Sequence, residues 1–160
     1  MQAVILIGLQ GSGKSTFYRE KFSNTHVRIS LDVLKTRSRE MALVKQCLEL
    51  RKNFVIENTN LALAERARYI VPARAAGYEI AGYFLGCKIK DCLKRNKDRK
   101  DRVPPGALFA TWKKLVLPSF EEGFDSLFYV GIDPSGAFVV KPWREIGLEE
   151  LSQHAFPRTC

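Results

Sequence analysis

The segment GLQGSGKST, Gly8 to Thr16, places Gly8, Gly13, Lys14 and Ser15 in the spacing G-x-x-x-x-G-K-[ST]. Glycines in such a loop let the backbone turn its N–H groups inward around phosphate oxygens. The lysine reaches the β- and γ-phosphates, and the serine hydroxyl binds Mg²⁺. The loop follows the apolar run Ala3 to Leu9 and precedes a helix-forming stretch. The N-terminus of that helix adds a partial positive charge. Gly8, Gly11, Ser12, Gly13, Lys14, Ser15 and Thr16 are therefore the candidate nucleotide-binding residues, and Thr16 either falls near the α-phosphate or packs in the first helical turn. No N/T-K-x-D guanine-reading motif occurs, so the expected cofactors are ATP and Mg²⁺.

Three further segments carry groups suited to phosphoryl transfer. ISLDVLK puts Asp32 just past a strand, where open α/β sheets bind ligands. A carboxylate there can accept the proton of an attacking hydroxyl. Ser30 or Asp32 serving as a plain helix N-cap is the alternative. Lys35, one helical turn on, would face the same side and meet an acceptor phosphate. FVIENTNL ends a strand on Glu57, the position of an acid that contacts Mg²⁺ through water, followed by Asn58 and Thr59 as a polar tip. A simple strand end with a turn fits the same residues. Arg66 serves the acceptor site or is a solvated helix arginine. KIKDCLKRNKDRKDR, Lys88 to Arg102, carries a local net charge of +5. Arg95 and Arg99 lie four apart, so one helical face can present both to a transferring phosphoryl group as a lid. A solvated charged helix is the alternative.

The elements that must position these groups follow from periodicity. Strands are expected at Ala3–Ile7, His26–Ser30, Phe54–Glu57, Tyr78–Leu85 and Ser126–Ile132. Helices are expected from Gly13 to about Phe22, over Asp32–Lys52, over Leu63–Ala76 with a kink near Pro72, over Lys88–Arg102 and over Ala107–Leu117. Asp133-Pro134-Ser135-Gly136 is a turn that pairs Phe138–Val140 back as a hairpin. The pattern predicts an α/β fold: a five-stranded parallel sheet with helices on both faces, a helical lid and a C-terminal β-hairpin. One domain over residues 1–160 is expected, with the lid at about 88–103 and the hairpin and tail at about 126–160.

The 160 residues carry a net charge of +9, which favours a polyanionic partner. No apolar run approaches the roughly 20 residues of a membrane span, and no signal peptide is read at the N-terminus, so a cytoplasmic protein without a membrane partner is expected. Cys47, Cys87, Cys92 and Cys160 form no C-x-x-C pair. The expectation is reduced thiols and no structural metal.

Taken together, GLQGSGKST, ISLDVLK, FVIENTNL, LKRNKDR, VPPGAL and LPSFEEGFDSLFYV resemble, in order, the kinase domain of polynucleotide 5′-hydroxyl kinases, a family of P-loop NTPases. The resemblance covers roughly residues 3 to 130. It implies that Lys14 and Ser15 hold ATP and Mg²⁺, that Asp32 is the general base on a 5′-hydroxyl, and that Arg95 and Arg99 are lid arginines. Lys35 stands where the family usually has an arginine, keeping charge but losing the bidentate fork. Glu57-Asn58 replaces a step in which Asp is common. No D-x-D-x-T motif occurs, so the resemblance implies a kinase without the 3′-phosphatase often fused to it. The substrate implied is the 5′-OH end of DNA or RNA. A small-molecule kinase for a nucleoside, sugar or nucleotide sugar is the alternative. A nucleotide-dependent nucleic-acid-binding module is a second alternative.

Overall fold

Residues Ala3 to Ile7 are apolar throughout, so a strand built from them must be covered on both faces. The computed structural model, which describes residues 1–157, places that strand at the centre of the sheet. Strand β1 (Gln2–Ile7) is followed by β2 (Val27–Ile29), β3 (Phe54–Ile56), β4 (Glu79–Leu85), β5 (Ser126–Ile132) and β6 (Phe138–Pro142). The spatial order is β2-β3-β1-β4-β5-β6. Strands β1 to β5 are parallel, and β6 pairs antiparallel with β5. The sheet thus has six strands where five were expected. The returning arm of the expected hairpin adds to the sheet as its edge strand.

Strand alternation divides the core in two. Val4 and Leu6 meet Phe17 of helix α1 (Lys14–Lys21) on one face. Ala3, Ile5 and Ile7 join the cluster on the other face. That face carries α2 (Leu31–Leu34), α3 (Arg37–Glu49), α4 (Leu63–Ala75), α5 (Ile89–Lys97), α6 (Pro105–Lys113) and α7 (Leu148–Ser152). The cluster takes Val44 and Cys47 from α3, Tyr69 and Ile70 from α4, and Leu108 from α6. No helix among the described residues is long and apolar enough to cross a membrane.

Two helix expectations are corrected. The stretch Asp32–Lys52 is two helices, because Lys35 adopts φ +70° and closes α2 with its N–H on the Leu31 carbonyl at 2.7 Å. Thr36 then caps α3, its hydroxyl accepting from the Arg39 N–H. In α4 the chain stays helical past Pro72 to Ala75. Pro72 lies in the last turn, where its missing N–H forfeits a single helical bond.

Arg66 is neither at an acceptor site nor solvated. It is fully buried in α4. Its guanidinium donates to both carboxylate oxygens of Glu122, at 2.5 and 2.8 Å, and to the carbonyls of Asn60, Leu61 and Val116 at 3.0, 2.9 and 3.1 Å. The segment EEGFD around Glu122 is built for docking. Gly123 turns at φ +107°, Phe124 packs on Gly82, and an Asp125 carboxylate oxygen accepts from the Ile80 N–H at 2.8 Å. The expectation of four free thiols also fails. Cys87 and Cys92 are joined as a disulfide with their Cα atoms 6.1 Å apart, while Cys47 is free and buried. Cys160 lies outside the described residues. Among the described residues no group of three or more His, Cys, Asp or Glu is clustered as for a metal ion.

A buried guanidinium stripped of its carboxylate is costly. Glu122→Ala is expected to destabilise the chain by about 3–5 kcal/mol, read as a lowered urea midpoint with an unchanged slope.

Candidate active site

The loop after β1 reverses through Gly11 at φ +81° and Gly13 at φ +97°, conformations open to glycine but strained for other residues. A side chain at Gly11 would also press on the Cys92 carbonyl, 2.9 Å from its Cβ. The loop leaves two buried side-chain oxygens without a partner, Gln10 Oε1 and Ser12 Oγ. Buried polar atoms are ordinarily paired, so this loop is shaped for a polar ligand. Lys14 reaches back over it, donating from Nζ to the Gly8 and Leu9 carbonyls at 2.9 and 2.8 Å.

An open cleft of about 460 Å³ lies over this loop. Its wall includes Lys14, Ser15 and Thr16 of the loop and helix α1, Asp32 of α2, Glu57, Asn58 and Thr59 after β3, and Arg95 and Arg99 beyond β4. The structure therefore brings together most of the residues singled out from sequence. Lys35 and Arg66 are not among those lining the cleft. The Lys14 ammonium is lowered to about 8, chiefly by burial and also by Arg99, with Glu57 and Asp32 opposing the shift. Lys14 thus sits in the field of an arginine and two carboxylates at once.

Each carboxylate is held differently. Glu57 is nearly buried, accepting the Ser15 hydroxyl on one oxygen and the Arg28 guanidinium on the other. A hydroxyl beside a carboxylate is a donor set that suits Mg²⁺ next to phosphate oxygens. The Asp32 carboxylate is exposed in the first turn of α2. Ser30 is the N-cap of that helix but makes no side-chain cap bond, and its hydroxyl is buried without a partner. The capping alternative thus fails for Ser30.

What positions Asp32 is the loop after β3. The Asn58 side-chain oxygen accepts from the Leu31 N–H at 2.9 Å, one residue before Asp32. Its amide nitrogen donates to the fully buried Glu40 and to the Tyr69 hydroxyl. Arg37 closes the network on Glu40 and Tyr69. Burial and the adjacent Glu40 push Tyr69 up to about 12, so it stays a neutral phenol. Asn58, expected to touch substrate, has its amide engaged in holding α2. Thr59 lines the cleft, and its carbonyl accepts from the Gly8 N–H at 3.0 Å.

The basic segment is shorter as a helix than its charge run. Helix α5 ends at Lys97, so Arg99 reaches the cleft from the following turn and not from a shared helical face. Asn96 shapes that turn, with its side-chain oxygen accepting from the Val103 N–H at 2.9 Å. Arg95 donates to the Gly11 carbonyl at 3.3 Å, which places the start of the basic segment directly on the phosphate loop. The sequence reading missed Arg28. Its neighbour Ile29 is fully buried on one face, so Arg28 projects to the other, over the Tyr18 ring at 5.6 Å and onto Glu57. A charged residue in a three-residue strand, two register steps before the acid just past the neighbouring strand, was the available signal.

Two outcomes follow. Lys14 titrates from about 8 in the free protein, and a bound polyphosphate favours its charged form. Affinity for an ATP analogue is therefore expected to hold below about pH 8 and to fall as pH rises above it, measured by calorimetry. The sign for the free fold is opposite. Its lowered lysine gains relative stability as pH climbs from about 8 towards the unfolded value of 10.5. Arg28→Gln should raise the Mg²⁺ concentration needed for half-maximal analogue binding, on the order of 10-fold, because Glu57 loses the partner that orients it.

No protein-family model matches the chain. In sequence it is 26% identical over 134 residues to the bifunctional polynucleotide phosphatase/kinase of Schizosaccharomyces pombe, covering 79% of this chain and 32% of that protein. The chain thus spans about a third of that relative's length. In structure it matches a chain of the PezAT chromosomal toxin–antitoxin system of Streptococcus pneumoniae with a TM-score of 0.64 at 17% identity, over 99% of this chain and 80% of that one. It also matches a gluconokinase from Sinorhizobium meliloti with a TM-score of 0.60 at 20% identity, over 96% and 91%. The chain has the P-loop kinase fold, and over four-fifths of its length its sequence is similar to a polynucleotide phosphatase/kinase.

Proposed function

We propose that the chain is an ATP-dependent kinase that moves the γ-phosphoryl group to the 5′-hydroxyl end of a polynucleotide. The observation that carries the reading is the exposed Asp32 carboxylate opening onto the same cleft as Lys14, Ser15, Glu57, Arg95 and Arg99. In this reading the loop from Gly8 to Thr16 holds the triphosphate, with Lys14 on its β and γ oxygens. Ser15 and Glu57 are the residues that would hold Mg²⁺, which when bound neutralises charge between the β- and γ-phosphates. Asp32 accepts the proton of the attacking 5′-hydroxyl as its oxygen bonds to the γ-phosphorus. The bond to the β-phosphate oxygen breaks and ADP leaves. Arg95 and Arg99 neutralise the charge spread over the moving phosphoryl oxygens. The net charge of +9 and the similarity to a polynucleotide phosphatase/kinase support a polyanionic acceptor.

A second reading is a small-molecule kinase on the same site. It is favoured by the burial of Arg66 and by Lys35 standing outside the cleft lining, which remove two cations expected to meet an acceptor phosphate.

The test is transfer of γ-labelled phosphate from ATP to short 5′-OH strands of DNA and RNA, with 5′-phosphorylated strands and gluconate, nucleosides and nucleotide sugars in parallel. Label is expected on 5′-OH strands alone, with a rate that falls steeply between about 50 and 200 mM salt. Label on a metabolite and none on either strand would transfer the assignment to the second reading. Arg95→Ala is expected to lower the wild-type rate on the order of 10²–10³-fold.

A further inference from the structure

Cys87 follows the end of β4, and Cys92 lies one turn into α5. Their disulfide crosses the point where the basic segment rests on the phosphate loop. The Cys92 carbonyl is packed against Gly11, and Arg95, one turn further, donates to the Gly11 carbonyl at 3.3 Å. The Cα separation of 6.1 Å lies within the range that a disulfide spans. The two sulfurs have different surroundings. Cys92 is fully buried. Cys87 lines a second open cavity of about 340 Å³, together with Arg95, Tyr129 and His154. Arg95 Nη1 is 3.8 Å from the Cys87 sulfur. A guanidinium beside a sulfur stabilises the thiolate, which is the nucleophilic form.

This arrangement does little as a staple for the fold. The two cysteines are five apart in sequence, and so short a closed loop restrains the unfolded chain least. What the bond does constrain is the hinge of the segment that carries Arg95 and Arg99 into the cleft. Resting on the reading of that cleft as an ATP site, we propose that Cys87 and Cys92 are a hydroperoxide-responsive dithiol that, when oxidised, ties the start of α5 to the end of β4 and so holds this segment where it rests on the phosphate loop.

The chemistry balances in two steps. The Cys87 thiolate attacks one peroxide oxygen, the O–O bond breaks, and with a proton the other oxygen leaves as water or an alcohol. Cys87 becomes a sulfenic acid. The Cys92 sulfur then attacks the Cys87 sulfur, the S–O bond breaks, and water leaves as the disulfide forms. The pair has lost two electrons and two hydrogens to the peroxide. A dithiol reductant reverses the bond by exchange. With α5 fastened, the basic segment cannot swing clear of the loop, so nucleotide entry and exit slow.

The test compares the full chain reduced with dithiothreitol and oxidised with a small excess of hydrogen peroxide. Peptide mapping by mass spectrometry identifies the linked cysteines, and stopped-flow displacement of a fluorescent ATP analogue gives its dissociation rate. The expected result is a Cys87–Cys92 cross-link with the mass lowered by two hydrogens, and several-fold slower dissociation that dithiothreitol reverses. Cys87→Ser is expected to dissociate the analogue at the reduced wild-type rate under both conditions. Cys92→Ala, a second variant lacking the bond, should behave likewise. Overturning results are pairing through Cys47 or Cys160 in place of Cys87–Cys92, or a cross-link that leaves dissociation as fast as in the two variants. Both readouts are independent of any acceptor. A failed acceptor assignment and a failed redox assignment are therefore told apart.

Discussion

The side-chain amide of Asn58 is the contact on which the geometry of the cleft depends. It joins the end of β3 to the first turn of α2 through the Leu31 N–H, and to the buried Glu40 of α3 through its nitrogen. A carboxylate with no exposure needs charged and hydrogen-bonded partners. Arg37 and the neutral Tyr69 supply the remainder. Helix α2 has four residues and fully buries none of them, with Leu34 packed only partly against the core. Asp32 therefore stands where it does because a polar network, more than the small apolar contact of Leu34, holds the helix that carries it.

The same logic runs across the sheet. Strand β1 is buried on both faces and delivers the phosphate loop at its carboxyl end, where β3 delivers Glu57. Asn60, at φ +49°, donates to the Leu6 carbonyl at 2.7 Å and fixes the two strand ends together. Ser15 on α1 then meets Glu57 directly, and Arg28 from the edge strand orients that carboxylate from the opposite side. On the other side of β1, the Arg66–Glu122 pair seats α4 against the segment leading into β5. The residues of the sheet and the polar contacts between its loops thus converge on one end of the strands.

The parts legible in the sequence were those with a local signature. The apolar run before GLQGSGKST gave the central strand, and the glycine spacing gave the positive-φ turns. Asp32 and Glu57 were placed by their position after strands. Arg66 was misread because a helix arginine looks the same whether it faces solvent or a buried acid 56 residues later. Nothing in its neighbours identifies Glu122. Lys35 was misread, and the bracing by Asn58 was missed, for a related reason. Their roles follow from Glu40 and from the left-handed turn between α2 and α3, which periodicity cannot show. The disulfide joins cysteines five apart whose spacing fits no recognised pair, so only the chain path between β4 and α5 reveals it. Strand β6 was expected as a hairpin arm, and its continuation of the sheet depends on register with β5.

The central claim is that Asp32 acts on the acceptor hydroxyl and not on the nucleotide. The most direct measurement is the single-turnover rate of phosphate transfer to a 5′-OH strand by the wild-type chain and by Asp32→Asn, with ATP-analogue affinity determined on both. A loss of transfer on the order of 10²–10⁴-fold with analogue affinity unchanged is the predicted result. Transfer at the wild-type rate by Asp32→Asn would contradict the account.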